Sequence, residues 1–189
     1  KPARDGDWVE SDRTILRSYG IMTAKPVLYV ANVSEAEIAG ESNDAKTVAA
    51  HAASSGGASV VVCATLESEI AELEKDDRAE MLESMGLLEP AVGPLARALN
   101  SLLGLSTFYT VGEKEVRAWS IPQGAPAPQA AGTVHSDIER GFIRAECYHV
   151  DDLFDLTSEK SIKEAGKLRS EGKGYSMQDG DVVKFLFNV

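Results

Sequence analysis

Lys25–Glu35, KPVLYVANVSE, decides the fold of the first half of this 189-residue chain. Val27-Leu28-Tyr29-Val30-Ala31 is a short apolar run rich in β-branched and aromatic side chains, and it predicts a buried strand over Pro26–Ala31. The run stops abruptly on Asn32-Val33-Ser34-Glu35. In open α/β sheets ligands bind just beyond the carboxyl ends of the strands. Those four residues are therefore the first place to look for chemistry.

Working outward, Asn43 to about Ser54 reads as an Ala-rich helix and Gly56-Gly57 as a turn. Ala58–Ala64 (ASVVVCA) is a second continuous apolar strand, of the kind covered on both faces in parallel sheets. Strand, helix and strand within this distance predict a βαβ unit. Upstream, Ser11 is placed to cap a short helix carrying Ile15, Leu16 and Tyr19, stopped near Gly20. Downstream, Leu66–Gly86 reads as two acidic helices, and Leu87–Leu103 as another that stops at Gly104.

The pattern changes after Gly104. Thr107–Val111 and Glu115–Ile121 predict a hairpin around Gly112, and Ala130-Ala131-Gly132 closes a short helix or turn. Phe142–Val150 predicts a further strand and Asp151–Arg169 a partly helical polar stretch. Asp179-Gly180-Asp181 predicts a tight turn into a last strand, Val182–Asn188. Strands interrupted by one helical interval point to a small α+β domain beside the α/β part.

The formal net charge is −11. Residues 1–104 carry 9 basic and 17 acidic side chains, and residues 105–189 carry 10 and 13. So acidic a chain is a poor general binder of nucleic acid, DNA included, and any RNA contact has to be a local patch. No apolar run is long enough to span a bilayer, and no signal peptide is visible, so no membrane partner is expected. Cys63 and Cys147 lie in apolar runs and read as reduced core thiols of a cytoplasmic protein. His51, His135 and His149 are scattered and suggest no metal site.

Two readings compete at Asn32-Val33-Ser34-Glu35. Ser34 and Glu37 have the spacing of a capping box for a helix that follows the strand. The other reading is base recognition. GTP-selective sites use Asn-Lys-x-Asp, whose carboxylate accepts from the guanine ring N–H and amino group. Here Val33 stands in place of that Lys and the longer Glu35 in place of that Asp, which relaxes guanine selectivity and admits adenine. Cys63-Ala64-Thr65 closes the second strand, where backbone N–H groups of a matching loop, Ala64 among them, would touch the base. Ser54-Ser55-Gly56-Gly57 precedes a strand and lacks the G-x-x-x-x-G-K-[ST] pattern, so it is a turn rather than a phosphate loop. Lys160, Lys163 and Lys167, followed by Arg169 and Lys173, would form a basic stripe if helical. That stripe reads either as a solvated face or as a phosphate-contacting patch.

Longer blocks extend these readings. Thr23–Glu35 (TAKPVLYVANVSE), Thr107–Ser120 (TFYTVGEKEVRAWS), Ala127–Gly132 (APQAAG), His135–Ala145 (HSDIERGFIRA) and Gly172–Val189 (GKGYSMQDGDVVKFLFNV) resemble the YchF or Obg-like ATPases, P-loop proteins related to the Obg GTPases. The resemblance runs over the whole chain. It implies the end of a helical insertion in residues 1–22 and the C-terminal part of a P-loop nucleotide-binding domain in residues 23–104. It also implies a TGS domain of β-grasp fold in residues 105–189. The implied activity is hydrolysis of ATP in preference to GTP with Mg, by a ribosome-associated protein. Asn32, Val33, Ser34 and Glu35 align with the family's base-reading motif. The phosphate loop and magnesium ligands would precede Lys1, so this chain alone is expected to be catalytically inert and to hold no nucleotide tightly. The rival expectation is a nucleotide-independent interaction module that binds RNA, the ribosome or a ligand through the TGS domain.

Overall fold

The computed structural model describes residues 1–112 and 115–188, arranged as two compact units, Lys1–Leu103 and Gly104–Val189. In the first unit the chain runs α1 (Glu10–Ser18), β1 (Leu28–Asn32), α2 (Asn43–Ser54), β2 (Ala58–Val62), α3 (Ala64–Glu72), α4 (Lys75–Ser84) and α5 (Val92–Leu102). β1 and β2 pair in parallel from Leu28 with Ala58 to Asn32 with Val62, and the Val33 N–H extends the ladder to the Val62 carbonyl at 2.9 Å. α2 forms the crossover between them. Its N-terminus is capped by Ser42, whose Oγ accepts from the Ala45 N–H at 3.3 Å. Ala45 and Ala52 are buried, and their seven-residue spacing puts both on one face, where a small side chain lets helix and sheet approach closely. A separate cluster of Cys63, Leu66, Ile70 and Leu82 joins α3 to α4.

The local signals were shifted at several ends. α1 starts after Val9, with no side-chain cap, so Ser11 lies inside the helix. β2 ends at Val62 because Cys63 already serves as the N-cap of α3. α5 begins only at Val92, since residues 87–91 form a turn in which the Ala91 N–H donates to Glu67 Oε1 at 2.9 Å.

The second unit contains β3 (Leu105–Val111), β4 (Val116–Pro122), α6 (Ala127–Val134), α7 (Ser136–Arg140) and β5 (Phe142–His149). It continues with α8 (Val150–Leu156), α9 (Glu159–Glu164), β6 (Arg169–Glu171) and β7 (Asp181–Phe187). These strands form one five-stranded sheet in the order β4-β3-β7-β5-β6, in which β3 and β7 run parallel and the other pairs antiparallel. Residues 113 and 114 of the expected hairpin turn, and Val189, lie outside the described residues. The helix around Ala130 continues through Gly132 to Val134. The three-residue β6 had no sequence signal of its own.

Strand alternation builds a core on each face of this sheet. Cys147 and Val183 join Phe108, Ile121 and Phe142 under α6, whose Ala127, Ala130 and Ala131 are fully buried. Their neighbours Tyr148 and Val182 face the other way and pack with Ile162 of α9 and the α8 side chains Leu153 and Leu156.

Candidate functional site

Asn32 is the last residue of β1 and Ala64 the first of α3, so both sit at the carboxyl ends of the parallel strands. The Asn32 side chain joins the two: its Oδ1 accepts the Ala64 N–H at 3.0 Å. One strand terminus is thereby tied to the helix that follows the other. The Ala64 amide, expected from the sequence to touch a base, donates to this bond inside the protein. Val33 is half-buried and its N–H is likewise used, by the β2 ladder.

Ser34 and Glu35 are exposed. Glu35 opens a single 3-10 turn, Glu35–Glu37, with Ser34 at its N-cap position and no side-chain cap bond. Instead of capping a backbone N–H, Ser34 Oγ donates to Glu37 Oε2 at 2.9 Å. The capping-box reading therefore fails. The chain turns through residues 34–38 without starting a long helix, and Glu35 stays exposed.

The basic run does not form one stripe. α9 ends at Glu164, and Gly166 takes φ 71°, a left-handed conformation that stops the helix before Lys167. Lys160 lies within reach of Glu164, Nζ to Oε1 3.9 Å. Lys167 instead donates to Asp152 Oδ1 of α8 at 2.6 Å, and that hydrogen bond holds the Asp152 carboxyl below the usual range while raising the Lys167 ammonium. Arg169 belongs to β6, and its guanidinium meets Asp181 at 2.8 Å and lies over the Tyr175 ring. Lys163 is in α9 and Lys173 in the turn after β6, both exposed.

Asp181 was not singled out in the sequence beyond its place in a tight turn. It is 0% exposed, yet fully partnered. Its carboxylate accepts from Arg169 at 2.8 Å, from the Tyr175 hydroxyl at 2.8 Å and from the Gln178 N–H at 2.9 Å. Burial, followed by donation to the Asp181 carboxylate, pushes the Tyr175 hydroxyl pKa upward. Cys147, beside this cluster, is a free buried thiol pushed up to about 11 by burial, and Cys63 is free and buried too.

The family model for the C-terminal part of YchF GTPases, described as a protein of unknown function (DUF933), matches residues 105–188. Over its whole length the chain is 48% identical to 52% of a Bacillus subtilis protein named "Ribosome-binding ATPase YchF". It is likewise 38% identical to 48% of an Oryza sativa "Obg-like ATPase 1". Among solved structures, the Schizosaccharomyces pombe YchF GTPase superposes with a TM-score of 0.77 at 31% identity, covering 98% of this chain and 50% of that one. The chain thus spans about half the length of the relatives it matches. Residues 105–188 match the YchF C-terminal family model, and the chain as a whole is similar to about half of each of these YchF and Obg-like ATPases.

Proposed function

We propose that this chain supplies the base-reading edge of a cytoplasmic, ribosome-associated nucleotide hydrolase that prefers ATP to GTP. In this reading residues 1–22 end a helical insertion, residues 23–104 complete a P-loop domain and residues 105–189 are a TGS domain. The observation that carries the reading is the Asn32–Ala64 bond, which fixes an amide side chain at the carboxyl ends of two parallel strands. Val33 in place of a lysine and the exposed Glu35 support relaxed guanine selectivity. The strand order β4-β3-β7-β5-β6, with its parallel central pair and α6 across one face, supports the β-grasp assignment.

The donor set fits a base and not the phosphates. The sequence contains no G-x-x-x-x-G-K-[ST], and no group of three metal-ligating side chains occurs among the described residues. In this reading the Mg and phosphate contacts are proposed to lie outside these 189 residues, which alone are proposed to be catalytically inert. The names of the relatives support the ribosome as partner, and they differ on the nucleotide, ATPase for one and GTPase for another. Lys160, Lys163 and Lys173 remain the proposed basic contacts of the second unit. Lys167 and Arg169 are already committed to Asp152 and Asp181.

The test is titration calorimetry of ATP and GTP on the protein in the full length of its relatives. ATP is expected to bind at least as tightly as GTP, and a clear GTP preference would sink the reading of Val33 and Glu35. Ribosome co-sedimentation across a salt series tests the partner, and replacing Lys160, Lys163 and Lys173 by Gln is expected to weaken pelleting.

A further inference from the structure

Residues 1–25 carry five basic and four acidic side chains, whereas residues 26–104 carry four and thirteen. Four of those five cations, Arg4, Arg13, Arg17 and Lys25, line one groove of about 580 Å³. Its floor is made by Lys25-Pro26 ahead of β1 and Ser54–Gly56 ahead of β2. It therefore opens at the amino ends of the strands, opposite the Asn32 edge. Asp5 is the acidic side chain in its lining, 4.0 Å from Arg4. Arg17 lies 3.3 Å from Glu10, an exposed pair that a stronger anion can displace.

Trp8 also lines the groove, 42% exposed. Its ring is held in place on two sides. The indole N–H donates to the Ala3 carbonyl at 2.6 Å, and a Cβ built on Gly6 would come within 2.3 Å of Nε1, so the ring lies against bare backbone. The Arg13 Nε–H donates to the Trp8 backbone carbonyl at 3.2 Å. Among the described residues no second aromatic ring and no guanidinium stacks on the indole.

We infer that this groove binds single-stranded RNA, one unpaired base stacking on Trp8 while Arg4, Arg13, Arg17 and Lys25 neutralise adjoining phosphates. A preset aromatic face beside a row of cations is how single strands are held without sequence readout. A duplex keeps its base faces to itself, and lipid headgroups and phosphopeptides offer no base to stack. That the strand is RNA rests on the ribosome reading above; the groove itself does not.

Each unit has one tryptophan, Trp8 and Trp119, so Trp119→Phe leaves Trp8 as the only indole reporter. Titrating that 189-residue chain with a twelve-nucleotide oligouridylate is expected to quench Trp8 fluorescence. Anisotropy of a labelled oligonucleotide gives the affinity for variants that lack the indole. Trp8→Ala should weaken binding about tenfold while Trp8→Phe retains most of it. Gly6→Ala, which displaces the ring without deleting it, should weaken binding too. The double variant Arg17→Gln, Lys25→Gln should reduce the slope of log K against log salt by about 1.4, at roughly 0.7 for each lost phosphate contact on a single strand. The Lys160, Lys163, Lys173 triple variant should bind the oligonucleotide as well as the parent. Circular dichroism confirms that each variant is folded. Absence of quenching, a Trp8→Ala effect under twofold in a folded chain, or equal binding of duplex RNA overturns the inference. Equal or tighter binding of the same DNA oligonucleotide, or binding to anionic lipid vesicles in place of the strand, overturns it as well. Ribosome pelleting without oligonucleotide binding removes this groove and leaves the ribosome reading standing. Oligonucleotide binding that Trp8→Ala weakens, without pelleting, does the reverse.

Discussion

β7 is hydrogen-bonded on both sides, to β3 and β5, whereas β1 and β2 pair only with each other among the described residues. The contrast continues in the side chains. β5 and β7 feed two cores, with Ala145, Cys147, Val182 and Val183 all buried, and a register shift between Phe142 and Arg144 brings Phe142 to the same core as Ala145 and Cys147. In β1 and β2 Ala31 alone is buried, and Val30 is 51% exposed in the middle of its strand. Parallel strands are normally covered on both faces because their edges and apolar side chains need partners. The two units share one chain and similar lengths, but among the described residues the sheet of 104–189 has more of its strand edges and faces covered than that of 1–103. Self-sufficiency follows from how many strand edges and faces are closed, and hydrophobic content alone does not supply it.

Four measurements would break or sharpen that contrast. The largest effect is expected at Asp181 in the closed unit. Asp181→Ala leaves Arg169 and the Gln178 N–H without their partner and should destabilise residues 104–189 by about 3–5 kcal/mol. Urea unfolding followed by Trp119 fluorescence reads it, and a loss below 1 kcal/mol would mean that the cluster is incidental. Next, amide exchange should be about a hundredfold faster in β1 and β2 than in β5 and β7, since protection follows the contacts that must open. Equal protection would erase the contrast. Asn32→Ala should cost the open unit about 1 kcal/mol, the value of one exposed hydrogen bond, as a shift in the Trp8 unfolding midpoint.

The smallest effect concerns Lys167 and Asp152. Asp152 is held below its unfolded value, so its contribution is present above about pH 3.9 and is lost as pH falls through the lowered folded value. Lys167 is raised, so its share is present below about pH 10.4 and is lost as pH rises through the folded value. Lys167→Ala should therefore slightly flatten both the acid and the alkaline limbs of the stability profile of residues 104–189. An unchanged profile would show that the pair is too solvated to count.

Sequence legibility followed the range of the interactions. α2 was legible as a helix from Asn43 to about Ser54 because its alanine-rich run and the Gly56-Gly57 turn are local. The strands were visible because apolar runs of that length have few other uses. The lysine run failed because i, i+3, i+7 spacing assumes an unbroken helix, and Gly166 breaks it. β6 was invisible because it is defined by its pairing with β5, Ala145 with Glu171 through Cys147 with Arg169, a contact distant in the sequence. At the candidate site, Asn32 and Glu35 stood out through their place after a strand. The bond from Asn32 to Ala64 spans 32 residues and has no local pattern. The groove around Trp8 was hidden for the same reason, because segments near residues 4, 13, 25 and 55 meet only in the folded chain.

The Asn32–Ala64 bond also limits what the edge can discriminate. With one lone pair of Oδ1 committed to the Ala64 amide, the side chain still has both N–H groups to offer outward as donors. Both purines present an N7 acceptor, and they differ at position 6, an amino donor on adenine and a carbonyl acceptor on guanine. A donor aimed at N7 therefore reports a purine ring without reporting which one. On a purine laid against this edge, loss of Asn32 would lower affinity for ATP and GTP by the same factor, leaving their ratio to be set elsewhere on the strand-end loops.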